Sequence, residues 1–234
     1  MQNDRILYMG NKMAKGSGFT PRQKQFLGMV FQTPYILQRF YLTGGTALSC
    51  FYLHHRESYD LDFFSEQEVN SSYLIRWLTN NKKRLNVAEI THEEELGFNF
   101  FILTFRNGSK LKVDFCYFPS ERIEKGIVWQ GLQIDSLYDI AVNKFNTIGT
   151  SPRGRDYVDL YIILQKNDWS IDRIRKDSAA KHGISIDTIQ LSRQFLRVVE
   201  FEDLPKLLVP FDKKGMYDFY LSLAKQLESK IFKD

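Results

Sequence analysis

Thr43-Gly44-Gly45-Thr46 and, separated from Gly45 by fourteen residues, Asp60-Leu61-Asp62-Phe63 decide how this chain reads. Asp60-Leu61-Asp62-Phe63 alternates polar and apolar residues, which predicts a short strand. The two carboxylates then share one face, with Leu61 and Phe63 on the other. Carboxylates held side by side repel each other unless a cation or a proton lies between them. Gly44-Gly45-Thr46 opens a predicted helix through Leu48, Phe51 and Tyr52. At such a start the free backbone N–H groups and the positive end of the helix dipole favour a phosphate. Glycine lets the backbone come close, and Thr46 offers a hydroxyl. Each feature alone has a plain alternative: a turn, and a pair of exposed strand-end aspartates. Together they suggest one part that holds a triphosphate and another that holds its metals.

A third carboxylate lies in the clearest local feature, a hairpin over 98–105 and 110–118 around Asn107-Gly108. Asn-Gly between two β-rich runs is a strong hairpin signal. In the second arm Leu111, Val113, Phe115 and Tyr117 form the apolar set. Asp114 therefore faces the other way, beside Lys112 and Cys116. If this arm neighbours the Asp60 strand, Asp60, Asp62 and Asp114 converge. Hard oxygen donors of this kind suit Mg²⁺ or Mn²⁺, held partly by protein and partly by substrate phosphates. The plain alternative for Asp114 is a surface ion pair.

Around this centre, Thr20-Pro21 predicts an N-cap and first turn of a helix to about 32. Asn70-Ser71-Ser72 predicts the cap of a helix to about 84, and 127–134 reads as one strand. Beyond Asp135 the pattern becomes helical, with helices expected over 136–148, 155–165, 171–181, 186–199 and 216–232. The expected organisation is a flexible segment over 1–19, a mixed α/β domain over 20–135 and a helical domain over 136–234 packed on it. The cleft between the halves is then the default site.

In the helical half, Leu137, Ile140, Ala141, Phe145 and Ile148 form one apolar stripe, and Lys144 projects into it. A lysine there either snorkels out or meets an anion. The following helix is apolar nearly all round, so Asp156 and Asp159 on it need partners. Lys144, Arg153 and Arg155 are the candidates, and a purely structural ion pair is one reading.

Composition narrows the class. With 43% hydrophobic and 26% charged residues, the 234-residue chain is neither disordered nor collagen-like. Two cysteines, Cys50 and Cys116, without a C-x-x-C exclude a disulfide framework or a Cys-rich zinc site, and both read as small buried hydrophobes. His54, His55 and Arg56 end the glycine-started helix, where cations suit its negative end. A net charge of +4 permits a nucleic-acid partner without requiring one. No apolar run spans a bilayer, and no signal peptide is visible, so a cytoplasmic location is expected.

Leu42-Thr43-Gly44-Gly45-Thr46-Ala47-Leu48, Tyr52, Arg56, Ser58 and Asp60-Leu61-Asp62-Phe63-Phe64 resemble the nucleotidyltransferase toxins of bacterial abortive infection. These are the AbiEii/AbiGii type within the DNA polymerase β-like nucleotidyltransferase superfamily. Gly44, Gly45, Asp60 and Asp62 match the superfamily pattern of a Gly-[Gly/Ser] pair followed by Asp-x-[Asp/Glu], with a spacer at or just beyond its long end. Its third metal carboxylate falls on Asp114 in Lys112-Val113-Asp114-Phe115. The chain is also similar to the toxins at Asp139-Ile140-Ala141-x-x-Lys144 and Arg155-Asp156-x-x-Asp159-Leu160-Tyr161.

The resemblance implies an α+β fold: a nucleotidyltransferase-type mixed β-sheet with helices, followed by a helical C-terminal half. It implies transfer of a nucleoside monophosphate from an NTP to an acceptor hydroxyl, with release of pyrophosphate. Asp60, Asp62 and Asp114 are then the metal ligands for Mg²⁺ or Mn²⁺, and Asp114 helps to activate the attacking hydroxyl. Gly44, Gly45 and Thr46 bind the triphosphate, Arg56 and Ser58 touch phosphate, and Lys144 aids charge neutralisation. Asp156 and Asp159 position nucleotide or acceptor. The implied partners are the NTP, an RNA acceptor with tRNA foremost, and an antitoxin protein, with no membrane. The rival readings are a nuclease, a transferase acting on a small molecule or protein, and a non-catalytic RNA- or partner-binding module.

Overall fold

Thr20 and Gln23 form a reciprocal cap: the Thr20 hydroxyl accepts from the Gln23 amide, and the Gln23 side chain accepts from the Thr20 amide. With Pro21 at the first position, this pair starts α1 (Pro21–Val30). The computed structural model describes residues 18–202 and 204–231. These fall into two compact units, one running through Glu121 with Lys125–Ser136, the other comprising Arg122–Glu124 with Leu137 onward.

The first unit continues with α2 (Pro34–Arg39), β1 (Tyr41–Thr43) and α3 (Gly44–Ala47), which runs on as a π-helical segment, Leu48–Leu53. Then come β2 (Leu61–Ser65), α4 (Ser71–Asn81), β3 (Val87–Glu95), β4 (Phe98–Phe105), β5 (Lys110–Tyr117), β6 (Ile127–Trp129) and β7 (Leu132–Ile134). The seven strands make one mixed sheet in the order β3-β4-β5-β2-β1-β7-β6. β2 pairs parallel with β5 and antiparallel with β1, while β1 pairs parallel with β7.

Along β2, Leu61, Phe63 and Ser65 are buried while Asp62 and Phe64 are half-buried, the alternation expected of a strand with one core face. Phe63 stacks on Phe115 of β5 at 4.9 Å, and Phe26 of α1 and Trp77 of α4 close over the same face. This aromatic layer fixes the register of β2 against β5, because a one-residue slip would turn Phe63 out and Asp62 in.

Several features differ from the sequence reading, among them α2, which was not expected. The strand expected over 127–134 is two short strands, because Gln130 and Gly131 both adopt positive φ and reverse the chain. β1 went unread because its three residues are all buried and show no alternation. β3 is an acidic edge strand with charges on both faces, so its period is masked. Phe19, expected in a flexible lead-in, is buried and stacks on Trp129 at 5.4 Å. The rest of that segment, residues 1–17, lies outside the described residues, as does Phe232 at the end of the last expected helix.

The second unit consists of α5 (Leu137–Thr150), α6 (Gly154–Lys166), α7 (Ile171–His182), α8 (Thr188–Leu196) with a 3₁₀ turn Arg197–Glu200, and α9 (Lys213–Ile231). Its core includes the fully buried Phe145, Tyr157, Phe195 and Tyr220. The Tyr220 hydroxyl donates to the Tyr157 carbonyl at 2.9 Å, which satisfies a polar tip inside that core. Asp139, also fully buried, accepts from the Ile123 and Glu124 amides and from Lys181. This clamp ties segment 122–124 to the helices.

Candidate active site

Sheet register brings the carboxylates together. Asp62 on β2 stands directly opposite Asp114 on β5, and Thr43 on β1 stands opposite Asp62 on the other side. Asp60 immediately precedes β2, and its charge acts on Asp114. Thr43, Asp62 and Asp114 thus form one cross-strand row, with Asp60 at its end.

Gly44 follows Thr43 with φ +70, a conformation that L side chains rarely adopt. A Cβ there would overlap the Asp62 carboxylate, so the glycine lets that side chain lie against the backbone turn. A Cβ on Gly45 would overlap the Arg56 guanidinium and approach the Ser58 hydroxyl to 3.0 Å. The two glycines therefore have separate tasks. One admits a carboxylate, the other a guanidinium and a hydroxyl, all at the start of α3. Arg56 is buried, and its Nη1 donates to the Glu57 carbonyl at 3.0 Å.

Thr46 is fully buried, and its hydroxyl donates to the Asp60 carbonyl and lies 2.9 Å from the Ser58 hydroxyl. Its visible work is to fix the Ser58–Asp60 segment. Gln23 does the same from α1: its side-chain amide donates to the carbonyls of Ser58 at 3.1 Å and Asp60 at 3.3 Å. Sequence reasoning missed Gln23, although the Thr20-x-x-Gln23 capping pattern marks the residue. It also missed Asp135, a fully buried carboxylate that accepts from the Thr43 hydroxyl at 2.6 Å. The Asp135 carbonyl accepts from the Tyr52 hydroxyl at 2.7 Å, so β1 and the π-helical segment are pinned at one point.

Asp114 is buried and paired. Burial pushes its pKa up, the Lys112 ammonium pulls it back, and the charge of Asp60 raises it again. Its Oδ2 pairs with Lys112, whereas Oδ1 is buried with no hydrogen-bond partner. An orphaned carboxylate oxygen beside a second carboxylate suits a hard cation. Among the described residues, no group of three or more His, Cys, Asp or Glu side chains is placed to hold a metal ion by itself. Cys116, on the same strand, is a buried free thiol, as is Cys50. Burial pushes the Cys50 thiol up to about 12 and the Cys116 thiol higher still, so neither is a thiolate nucleophile.

In the second unit, Lys144 donates to Asp156 at 2.6 Å and pairs with Asp159 at 2.8 Å, all three being buried. Arg153 joins Asp156 from the outside at 3.0 Å. Burial alone would raise the pKa of Asp156, but Lys144 and then Arg153 hold it below the ordinary carboxylate value. The ion pair that the sequence offered as the structural alternative for Lys144 is therefore present, with Asp156 as well as Asp159.

A mixed sheet carrying a Gly-Gly turn and paired strand aspartates defines a nucleotidyltransferase-type α+β fold. The chain is similar to the crystal structure of JHP933 from Helicobacter pylori, at 18% identity and a TM-score of 0.56, covering 92% of this chain and 95% of that one. A second H. pylori structure gives 19% identity and a TM-score of 0.55, with coverages of 91% and 95%. A protein of Aquifex aeolicus (strain VF5), aq_aa25, is 26% identical over 188 residues, 76% of each chain. The model of the AbiEii nucleotidyltransferase toxins of type IV toxin–antitoxin systems matches residues 26–225, and this chain belongs to that family. It is a nucleotidyltransferase, and the family implies an NTP substrate and an antitoxin partner. Among the described residues, no helix is long and apolar enough to cross a membrane.

Proposed function

We propose that this toxin transfers a nucleoside monophosphate from an NTP to a hydroxyl of RNA, tRNA foremost, in a reaction that depends on Mg²⁺ or Mn²⁺ and releases pyrophosphate. The observation that supports this most is the Asp62–Asp114 register pair with its orphaned Asp114 Oδ1, beside a glycine turn that accommodates the Asp62 carboxylate. In this reading Asp60, Asp62 and Asp114 hold the divalent cation, which neutralises phosphate charge and lowers the pKa of the attacking hydroxyl. Asp114 receives the proton of that hydroxyl as the new phosphodiester bond forms and the bond to pyrophosphate breaks.

Backbone N–H groups of Gly44 and Gly45 bind the triphosphate, with Arg56 and Ser58 adding charge and a hydroxyl from behind Gly45. Thr46 and Gln23 serve by holding Asp60 in place. Lys144, Asp156 and Asp159 enter through the family resemblance, as the element that helps to neutralise and position the nucleotide.

The test is incubation with each α-labelled NTP, Mg²⁺ and total RNA, followed by mass spectrometry of the RNA. Label on RNA with stoichiometric pyrophosphate supports the proposal. Label on protein or a small molecule, or RNA cleavage without NTP, overturns the acceptor assignment. An RNA acceptor also implies binding that weakens as salt rises, by about 0.7–0.9 log units per log unit of salt for each phosphate neutralised.

A further inference from the structure

Lys112 stands where a catalytic cation has to act. It sits two residues before Asp114 on β5, so both side chains leave the same face of the strand. Its ammonium donates to Asp114 Oδ2, while its side chain remains 42% exposed against 8% for Asp114. The same ammonium lies 5.4 Å from the centre of the Phe100 ring on β4, the residue opposite Asp114 on that side. Burial works against the Lys112 charge, yet Asp114, Asp60 and Asp62 together push its pKa up. All three carboxylates of the site therefore act on this one ammonium.

Lys112 and a divalent cation compete for the same object. A divalent cation that enters through the free Asp114 Oδ1 meets the ammonium on Oδ2 of the same carboxylate, and the two positive charges repel at that range. A lysine suits that exchange. Its charge sits on a flexible four-carbon stem with three rotatable donors, and this one has solvent on its open side. A guanidinium would have held the carboxylate by two parallel bonds and resisted displacement.

We propose that Lys112 is a displaceable counter-ion: it neutralises the carboxylate site of the nucleotide-free protein, yields Asp114 to the divalent cation, and passes to the phosphate oxygens of the incoming NTP. This rests on the metal reading above and deepens it. It follows that the nucleotide-free site resists free divalent cations and loads when a triphosphate supplies both extra ligands for the metal and a new partner for Lys112. Metal binding and nucleotide binding then reinforce each other, and the coupling is reciprocal.

Mn²⁺ titration followed by electron paramagnetic resonance of the free ion tests this without any turnover. It would compare the wild type, Lys112→Met and Lys110→Met, with and without a non-hydrolysable NTP analogue. Lys110 is the control, because it is exposed on the same face one step further from Asp114. Lys112→Met is expected to bind Mn²⁺ about tenfold tighter than the wild type in the absence of nucleotide, the effect of removing a competing unit charge at close range. Lys110→Met is expected to change it less than about twofold, since an exposed charge further away is screened. The analogue should tighten Mn²⁺ binding in the wild type by more than in Lys112→Met.

Thermal melts give a second readout. Lys112→Met removes the ammonium from Asp114, so Mn²⁺ should raise its Tm more than that of the wild type. Equal Mn²⁺ affinity in Lys112→Met and Lys110→Met, or weaker binding in Lys112→Met, overturns the proposal while the metal site stands. No Mn²⁺ binding by any of the three proteins, with or without the analogue, removes the metal site and the proposal with it.

Discussion

Asp62 on β2 and Asp114 on β5 are direct register partners in a parallel strand pair, two carboxylates on adjacent strands of one sheet face. Neighbouring strands lie about 5 Å apart, and like charges placed directly opposite destabilise a sheet. The other face of the same two strands supplies what holds the pair in place: Phe63 stacks on Phe115 one residue along, and the register cannot slip without exposing both rings. The repulsion is thus imposed by the core and offset in part by Lys112. A site built in this way is stabilised by whatever cation it binds.

Asp62→Asn is expected to abolish nucleotidyl transfer and leave the fold intact. The change keeps the side-chain volume, removes one of two facing negative charges, and leaves Phe63 and Phe115 untouched. Stability without metal should hold or rise by up to ~1 kcal/mol, the scale of a like-charge cross-strand pair. Melting curves and labelled-NTP transfer check the two halves of the statement. Near-normal turnover at saturating Mg²⁺ would falsify the metal assignment.

Gly44→Ala separates geometry from charge. At φ +70 an alanine costs about 1–2 kcal/mol, and its Cβ meets the Asp62 carboxylate, which has to move away from the site. Transfer should fall by far more than the folded fraction does. Gly108→Ala is the matched control, since φ there is +82 but the added methyl meets nothing within 4 Å. Its stability cost should be similar and its transfer normal. Equal activity losses in the two variants would show that backbone strain alone, and not the Asp62 position, explains the effect.

How much of this could be read in the chain itself follows from where each signal lives. Asp62 and Asp114 were legible because strand alternation assigns a face, whereas Asp60 lies just before β2, and Asn107-Gly108 was legible because its turn chemistry is local. Adjacency of β2 and β5 was not readable from periodicity, since 44 residues and two other strands intervene between Leu61–Ser65 and Lys110–Tyr117. The family pattern supplied it. Asp135 was invisible for a related reason: its partner Thr43 is 92 positions away, and no local rule links them. Gln130-Gly131 was passed over because the apolar period runs through both arms of the β6–β7 turn.

Acid should loosen the helical unit through Asp156. Its pKa in the folded state lies below the ordinary 3.8, so its ionised form stabilises the fold. That contribution is complete above the unfolded value and is lost as pH falls through the lowered folded value. Asp156→Asn should therefore melt below the wild type at neutral pH, with the gap closing below pH about 4. Melting temperatures across that range decide the matter. A gap that stays constant into acid would mean that Asp156 is not the group whose protonation is felt.

Lys144→Met asks whether the buried cluster is only structural. Met matches the lysine stem and suits the surrounding Ile140, Ala141 and Phe145 on packing grounds. It takes the ammonium away from two buried carboxylates, however, because Lys144 is bonded to both Asp156 and Asp159. Removing one partner of a buried pair costs about 3–5 kcal/mol, and Arg153, more than half exposed on Asp156, offsets little of that. A large fall in Tm is expected. If the cluster also serves the nucleotide, as the resemblance implies, NTP affinity per folded molecule should fall as well. Titrating nucleotide below the new Tm, with the folded fraction measured in the same sample, isolates that second effect. Unchanged affinity per folded molecule would confine Lys144 to the ion pair, and Asp156 and Asp159 to holding α5 against α6.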